Sequence, residues 1–344
     1  MTAVLTGAAL SAALISAAVI VAVLPRLRRH GVLDVPVARS LHLAPTPRGG
    51  GLGIVTAVLL VPATAALVLD LEALNPKALW SAAIVVAAFA GLGLADDLLS
   101  LRAGPRLVTQ LVMSVAWAAL AVAFSGRHVV WLPLIAVASV LLVNATNFMD
   151  GTNGLVSGHA VVASAWYVFV SVQHGAATTA LLAAALLGGA LGFLPFNVPV
   201  ARIFLGDVGS YALGAAWAVL PIWLFLLDVP IEAVFAPLVL LLSDVLVTVL
   251  RRAYHGDPVL EPHRLHVYQR LAHAGWSHLR LAMLFSGFTA IACLLSLPAL
   301  LGAPRSVRFV MVIGMMILAV GYHNLTRRTG GLARWHRTRE DLGL

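Results

Sequence analysis

Cysteine occurs once in the 344 residues, and Asp, Glu, Lys and Arg together make up only 10% of them. The lone Cys293 stands inside an apolar run, so a disulfide framework and a thiolate metal site are both excluded. A soluble protein of this size carries roughly a quarter charged residues. No polar stretch is long enough for a separate soluble domain, and there is no evident repeat, low-complexity tract or linker. Residues 1–24 have no basic leading segment, and no small-residue cleavage site precedes Arg26. They read as a retained first span rather than a removed signal.

What remains is apolar. Hydrophobic residues make up 61% of the chain and the mean hydropathy is +0.97. Runs near the ~20 residues that a bilayer requires recur along its whole length. The fold class is therefore an all-α polytopic membrane helix bundle, one transmembrane domain over residues 1–344. Abundant Ala and Gly suit close helix contact in lipid. Spans are expected at 2–25, 50–69, 78–95, 107–125, 130–149, 154–172, 177–196, 208–227, 231–250, 279–300 and 307–325, eleven in all.

The net charge is +8, yet no basic segment is interleaved with aromatics, so a nucleic-acid partner is excluded. The cations sit at the ends of apolar runs, where they encode topology. With the N-terminus outside, inside segments hold 18 of the 22 Lys and Arg residues, and only Lys77, Arg127, Arg305 and Arg308 lie outside. This orientation puts the C-terminus in the cytoplasm. It also brings every polar cluster to the cytoplasmic side.

Those clusters carry the chemistry. Asp96 and Asp97 end the third apolar run. Carboxylates near hydrocarbon cost several kcal/mol unless they face water, an ion or a partner. Successive helical residues point about 100° apart, so the two acids serve different neighbours, one a metal or reacting group, the other solvent or a cation such as Arg102 or Arg106. The bland alternative is a hydrophilic helix end. Asn144, Asn147, Asp150 and Asn153 gather between spans five and six. Asn144 and Asn147 share a helix face, and Asn153 is placed to cap the next helix. Amides and an acid at this density suit a polar ligand such as a nucleobase. Gly206-Asp207-Val-Gly209-Ser210 opens span eight. It is either a cap or a phosphate seat at a helix N-terminus. Asp207 there implies a cation between carboxylate and phosphate, and Mg²⁺ fits.

Two loops complete the set. Asp34 to Gly53 is stiffened by Pro36, Pro45 and Pro47 and loosened by Gly49, Gly50, Gly51 and Gly53. Arg39, Ser40, His42 and Arg48 can hold an anion there, or meet lipid headgroups. In the largest inside loop, Pro262 before a short helix would put His263, His266 and Arg270 on one face. Such a face binds anions; an interfacial helix on lipid is the alternative. Asp244 lies well inside span nine, lining a groove or pairing with another helix.

In this order Pro-Thr-Pro-Arg-Gly-Gly-Gly, Asp-Asp, Asn-Phe-Met-Asp-Gly-x-Asn-Gly, Phe-Leu-Gly-Asp-x-Gly-Ser and His-Arg-x-His-x-Tyr-Gln-Arg resemble the polyprenyl-phosphate N-acetylhexosamine-1-phosphate transferases. That is the glycosyltransferase family 4 group that includes phospho-N-acetylmuramoyl-pentapeptide transferase. The resemblance covers about Asp34 to His278. It implies transfer of sugar-1-phosphate from a UDP-amino-sugar to polyprenyl (undecaprenyl) phosphate with release of UMP. Mg²⁺ is the implied cofactor, with Mn²⁺ as its substitute. By the resemblance Asp96, Asp97, Asp150, His263 and His266 are catalytic, and Asp207 holds the metal. Arg48, Arg106, Asn147, Asn153, Asn197, Phe204, Arg264 and Arg270 bind substrate, with Phe204 stacking on uracil. Asn153 replaces the Asp of many members, and His-Arg-Leu-His replaces a consecutive histidine triple. Asn153 removes the carboxylate that would contact the nucleobase, and the histidine pattern points to the O-antigen-initiating branch of lipopolysaccharide assembly and away from a muramoyl-pentapeptide donor. The implied setting is the bacterial inner membrane, with the site facing the cytoplasm and a homodimer as one admissible assembly. Either direct attack by the lipid phosphate or a covalent phospho-sugar enzyme is open.

The rival reading is a transporter of an anionic or sugar solute. Inverted repeats and helices broken at the midplane would mark it. The chain has no evident repeat, and its polar residues gather at one interface.

Overall fold

The structure, a computed structural model, describes residues 1–36, 44–68, 73–257 and 264–328. Among them eleven helical spans are long and apolar enough to cross a membrane. They follow the expected order: α1 (Thr2–Arg29), α2 (Gly51–Val68), α3 (Pro76–Leu99), α4 (Ala103–Ser125), α5 (Trp131–Met149), α6 (Leu155–Gln173), α7 (Ala177–Asn197) and α8 (Gly206–Leu226). Then come a short α9 (Ile231–Phe235), α10 (Val239–Tyr254), a short α11 (Val267–His273), α12 (His278–Leu300) and α13 (Arg305–Arg328). The chain is a polytopic helical membrane protein.

Several spans run past their expected bounds, α3 to Leu99 and α4 back to Ala103 among them, and two departures bear on the architecture. The first span does not stop at Pro25 but runs on to Arg29. Arg26, Arg28 and Arg29 then fill its last turn, where cations oppose the negative end of the helix dipole. The ninth is broken into α9 and α10 by a 3-10 turn over Ala236–Leu238. Pro237 has no N–H to give and clashes with the preceding turn. The carbonyls near the break are not orphaned. Trp166 Nε1 donates to Ala233 O at 2.7 Å and the Tyr167 hydroxyl to Val234 O at 3.0 Å. In lipid such groups must be matched within the protein.

α8 is the hub. Of the residues in its apolar stretch 94% are buried, against 22% for α1 and α13. α3 and α5 pack along it, and α2, α6 and α7 close the ring. The C-terminal ends of α3 and α5 and the N-terminal ends of α2, α4 and α8 consequently meet at one end of the bundle. A strap leads into α2. Strands β1 (Leu33–Asp34) and β2 (Thr46–Pro47) pair antiparallel, and Arg48 bridges to Phe204.

At the opposite end the connections are short and two ion pairs form. Arg127 pairs with Asp228 at 2.7 Å and Arg308 with Glu232 at 2.6 Å. Two of the four cations expected outside are thus neutralised locally.

Candidate active site

The strap seats the first basic residue. Gly50 N and Gly51 N donate to Phe204 O and Leu205 O at 2.8 Å, and Phe204 N donates to Pro47 O at 2.8 Å. These bonds hold residues 47–51 against the start of α8. Arg48 is thereby aimed across it, its Nε 3.6 Å from Asp97 Oδ1, and its guanidinium also donates to the Asp97 carbonyl. Arg39, Ser40 and His42 lie outside the described residues.

α3 approaches α8 through Gly93. A Cβ at this position would stand 2.1 Å from Asp207 O, so only glycine lets the two backbones meet. One turn on, the acidic pair is therefore not at a hydrophilic helix end. The helix continues to Leu99, and Asp96 and Asp97 are 4% and 3% exposed. The pair divides as the helical angle requires. Asp96 faces α4: its Oδ2 accepts from Arg106 Nη1 at 2.8 Å and from the Tyr211 hydroxyl at 2.9 Å, and its Oδ1 from Leu101 N at 2.9 Å. Both its oxygens are engaged, so its geometry is that of a group holding Arg106. Asp97 faces α8 and accepts from Val208 N at 3.0 Å. That bond uses a free donor of the helix N-terminus. Sequence reasoning missed Tyr211. Its signal was its position four residues after Asp207, on the same helix face.

The amide cluster also divides. Asn147 Nδ2 donates to Asp207 Oδ1 at 2.6 Å and to Ser210 Oγ at 3.0 Å, joining α5 to α8. Asn144 instead reaches α4, donating to Gln110 Oε1 at 2.6 Å. It ties helices and lies off the cluster. Neither expected cap forms: Gly154 and Leu205 occupy the N-cap positions of α6 and α8 with no side-chain cap bond. Asn153 Nδ2 lies 3.5 Å from Pro199 O, and its N–H faces His278 Nδ1 at 3.3 Å. Asn197 differs most from expectation. Its Oδ1 accepts from Gly154 N at 2.6 Å and its Nδ2 donates to Ile203 O at 3.1 Å. It is 5% exposed, so its amide is spent on bracing two loops. Phe204 is half-buried beside Arg48.

Asp150 and Asp207 both remain partly open to the surface. Burial under surrounding protein, and then the charges of Asp207 and Asp97, push the Asp150 carboxyl well above the usual carboxylate range. Like charges brought together raise one another's proton affinity, and a cation relieves them. The donors are all oxygens, as Mg²⁺ prefers. Among the described residues no three His, Cys, Asp or Glu side chains form a ready-made cage. A divalent ion seated here would share its coordination with oxygens of a bound ligand.

The histidine segment docks beside this cluster. α11 starts at Val267 with His266 as its N-cap, later than a helix beginning at Pro262. His266 and Arg270 lie one helical turn apart, with Arg270 N donating to His266 O at 3.1 Å. His263 lies outside the described residues. His266 Nδ1 is 3.2 Å from Asp244 Oδ1, and its ring stacks on Phe148 and Tyr268. Arg270 is buried in the last turn of α11, and Arg264 Nη1 is exposed 3.5 Å from His273 Nε2. Burial and the Arg264 charge lower the His273 pKa.

The profile of glycosyl transferase family 4 matches residues 79–225, the stretch holding Asp96, Asp97, Asn147, Asp150 and Asp207. A decaprenyl-phosphate N-acetylglucosaminephosphotransferase of Mycobacterium leprae is 30% identical over 322 residues, covering 82% of this chain and 80% of the relative. The chain belongs to glycosyl transferase family 4. A probable undecaprenyl-phosphate N-acetylglucosaminyl 1-phosphate transferase of Bacillus subtilis is 26% identical, with 84% of each chain covered. Within the family the likeness to the muramoyl branch is shorter: a phospho-N-acetylmuramoyl-pentapeptide-transferase of Latilactobacillus sakei is 34% identical over 200 residues, 52% of this chain and 62% of that one.

Proposed function

We propose that the protein transfers N-acetylhexosamine-1-phosphate from a UDP-amino-sugar to polyprenyl phosphate, releasing UMP and starting a lipid-linked cell-surface glycan. The observation that carries this reading is the meeting of Asp97, Asp150 and Asp207 with Arg48 and Arg106 at one end of the bundle. The charge asymmetry supports the cytoplasmic side for that end. The names of the relatives matched over most of their length favour N-acetylglucosamine as the sugar.

The chemistry exchanges one phosphoanhydride for another. An oxygen of the lipid phosphate forms a bond to the sugar-bearing phosphorus, and the bond from that phosphorus to the bridging oxygen of UMP breaks. Little covalent work falls to the protein, so catalysis is positioning and charge neutralisation. Asp207, with Asp150 nearby, would hold Mg²⁺, which would neutralise charge on the donor's diphosphate as UMP leaves. Asn147 fixes the Asp207 carboxylate by its hydrogen bond. Arg48 and Arg106, each oriented by an aspartate, hold anionic oxygens from two sides. Asp150, at the partly open edge of the cluster, takes the proton of the attacking phosphate, and we favour this direct attack over a covalent phospho-sugar enzyme. His266 and Arg264, by the family resemblance, contact the donor's diphosphate and sugar.

The test is release of UMP by purified protein from a panel of UDP-amino-sugars, with undecaprenyl phosphate. Turnover with at least one donor is expected, lost on chelation and restored by Mg²⁺ or Mn²⁺. No UMP from any donor would defeat the reading. A phospho-sugar adduct trapped on an aspartate would replace direct attack.

A further inference from the structure

We propose that Asp244 is a positioning residue that docks the start of α11 onto the turn carrying Asp150, and so places His266 beside the reacting phosphates. The inference rests on the function proposed above and deepens it.

Asp244 is 0% exposed, within the ninth span. A carboxylate at such depth persists only when fully matched, and this one is. Its Oδ1 lies 3.2 Å from His266 Nδ1 and accepts from Val267 N at 3.1 Å. Its Oδ2 accepts from the Tyr322 hydroxyl at 3.0 Å and is 3.2 Å from Val267 N. One acid thus ties α10 to the first residues of α11 and to α13. A tie between spans would need only Tyr322. The contacts to His266 and Val267 concern a short element that crosses no membrane.

The docked element reaches the carboxylate cluster directly. The Tyr268 hydroxyl donates to Phe148 O at 2.9 Å, two residues before Asp150. The His266 ring is stacked on Phe148 and Tyr268, with centroids 6.1 Å away in each case. Gly151 gives the Tyr268 ring its space, since a Cβ there would stand 2.2 Å from the hydroxyl. A continuous path of contacts therefore runs from Asp244 through His266 and Tyr268 to the Phe148–Gly151 turn. No step along it requires Asp244 to touch substrate.

Asp244→Asn keeps the size and removes the charge. Its kcat/KM for UMP release should fall about 10- to 100-fold, the range for losing a hydrogen bond to a charged group, with most of the change in donor KM. His266→Ala should fall comparably, and adding Asp244→Asn to it should cost no more than about twofold further, because one path is being cut twice. Amide exchange, read without any substrate, should speed at least about tenfold in residues 264–273 and 147–151 of Asp244→Asn. Should Asp244→Asn fold poorly, Tyr322→Phe leaves the contacts to α11 standing and should give a milder loss, within about fivefold, in the same regions. Losses that multiply in the double variant, or unchanged exchange in both segments, overturn the inference. Absence of turnover by the wild type with every donor would defeat the proposed function alone, and the exchange experiment would still decide the docking.

Discussion

Two carboxylate sites lie in the bundle and are built in opposite ways. Around Asp244 hydrogen-bond donors from two other elements, the start of α11 and α13, converge on one acid. Around Asp207 three acids converge, and the donor given to its carboxylate is the Asn147 amide. The first arrangement is complete within the protein and serves to hold segments together. The second carries surplus negative charge at a partly open surface, and it is completed by a cation and the ligand that brings it. Depth does not separate the two, since Asp97 is nearly as buried as Asp244. Donor supply does.

The largest expected effect strikes the deficient site. Asp207→Asn should lower turnover at least about 10³-fold, because it removes the group that holds the charge-neutralising ion. Its thermal midpoint should stay level or rise, since a repulsive charge near Asp97 and Asp150 is lost. Differential scanning of the purified variant beside the UMP assay reads both. A midpoint well below wild type would erase the contrast with Asp244, where charge removal loosens structure.

Next comes the contact that assembles the deficient site. Gly93→Ala places a methyl group against Asp207 O and must push α3 from α8. Overpacking of this kind costs about 1–3 kcal/mol. Displacement of Asp97 by even about 1 Å should cost roughly 10²-fold in turnover. Gly91, two residues before Gly93, has open space at its Cβ, and Gly91→Ala should leave turnover unchanged. Equal losses at the two positions would show that close approach at Gly93 does not set the site.

These contrasts also mark how much was readable beforehand. The spans were legible because each is a continuous apolar run of bilayer length. Their common polar end followed from where the arginines lie. The division of Asp96 from Asp97 was legible as an angle, but not which acid met which helix, because Arg106 and Tyr211 approach from separate spans. Asn144 and Asn147 share a face, yet that face borders two helices, α4 and α8, and the residues part there. The partners of Asp244 are 22 and 78 residues away, and no local pattern announces them. Pro237 was visible, but its effect depended on Trp166 and Tyr167 donating to the freed carbonyls.

A smaller effect sharpens the reading of Asp96. Tyr211→Phe removes the hydroxyl that shares Asp96 Oδ2 with Arg106. A net hydrogen bond is worth about 1 kcal/mol, so turnover should fall roughly fivefold. In an Arg106→Ala background the same change should do nothing further. An equal loss in both backgrounds would mean that Tyr211 acts by packing and that Asp96 does not hold Arg106 for the ligand.

The smallest effect belongs at the far end of the bundle. Arg127 pairs with Asp228, a residue 82% exposed at its side chain, and also donates to Leu226 O at 2.9 Å. Exposed pairs contribute about 0–1 kcal/mol, so Arg127→Ala should shift the thermal midpoint slightly and leave UMP release unaltered. The reason is topological as well as energetic. α8 runs from Gly206 at the site to Leu226 beside Arg127, and a 21-residue helix spans about 30 Å at 1.5 Å per residue. A change in donor KM on losing Arg127 would mean that the two ends communicate along α8. The hub would then be a lever instead of a fixed post.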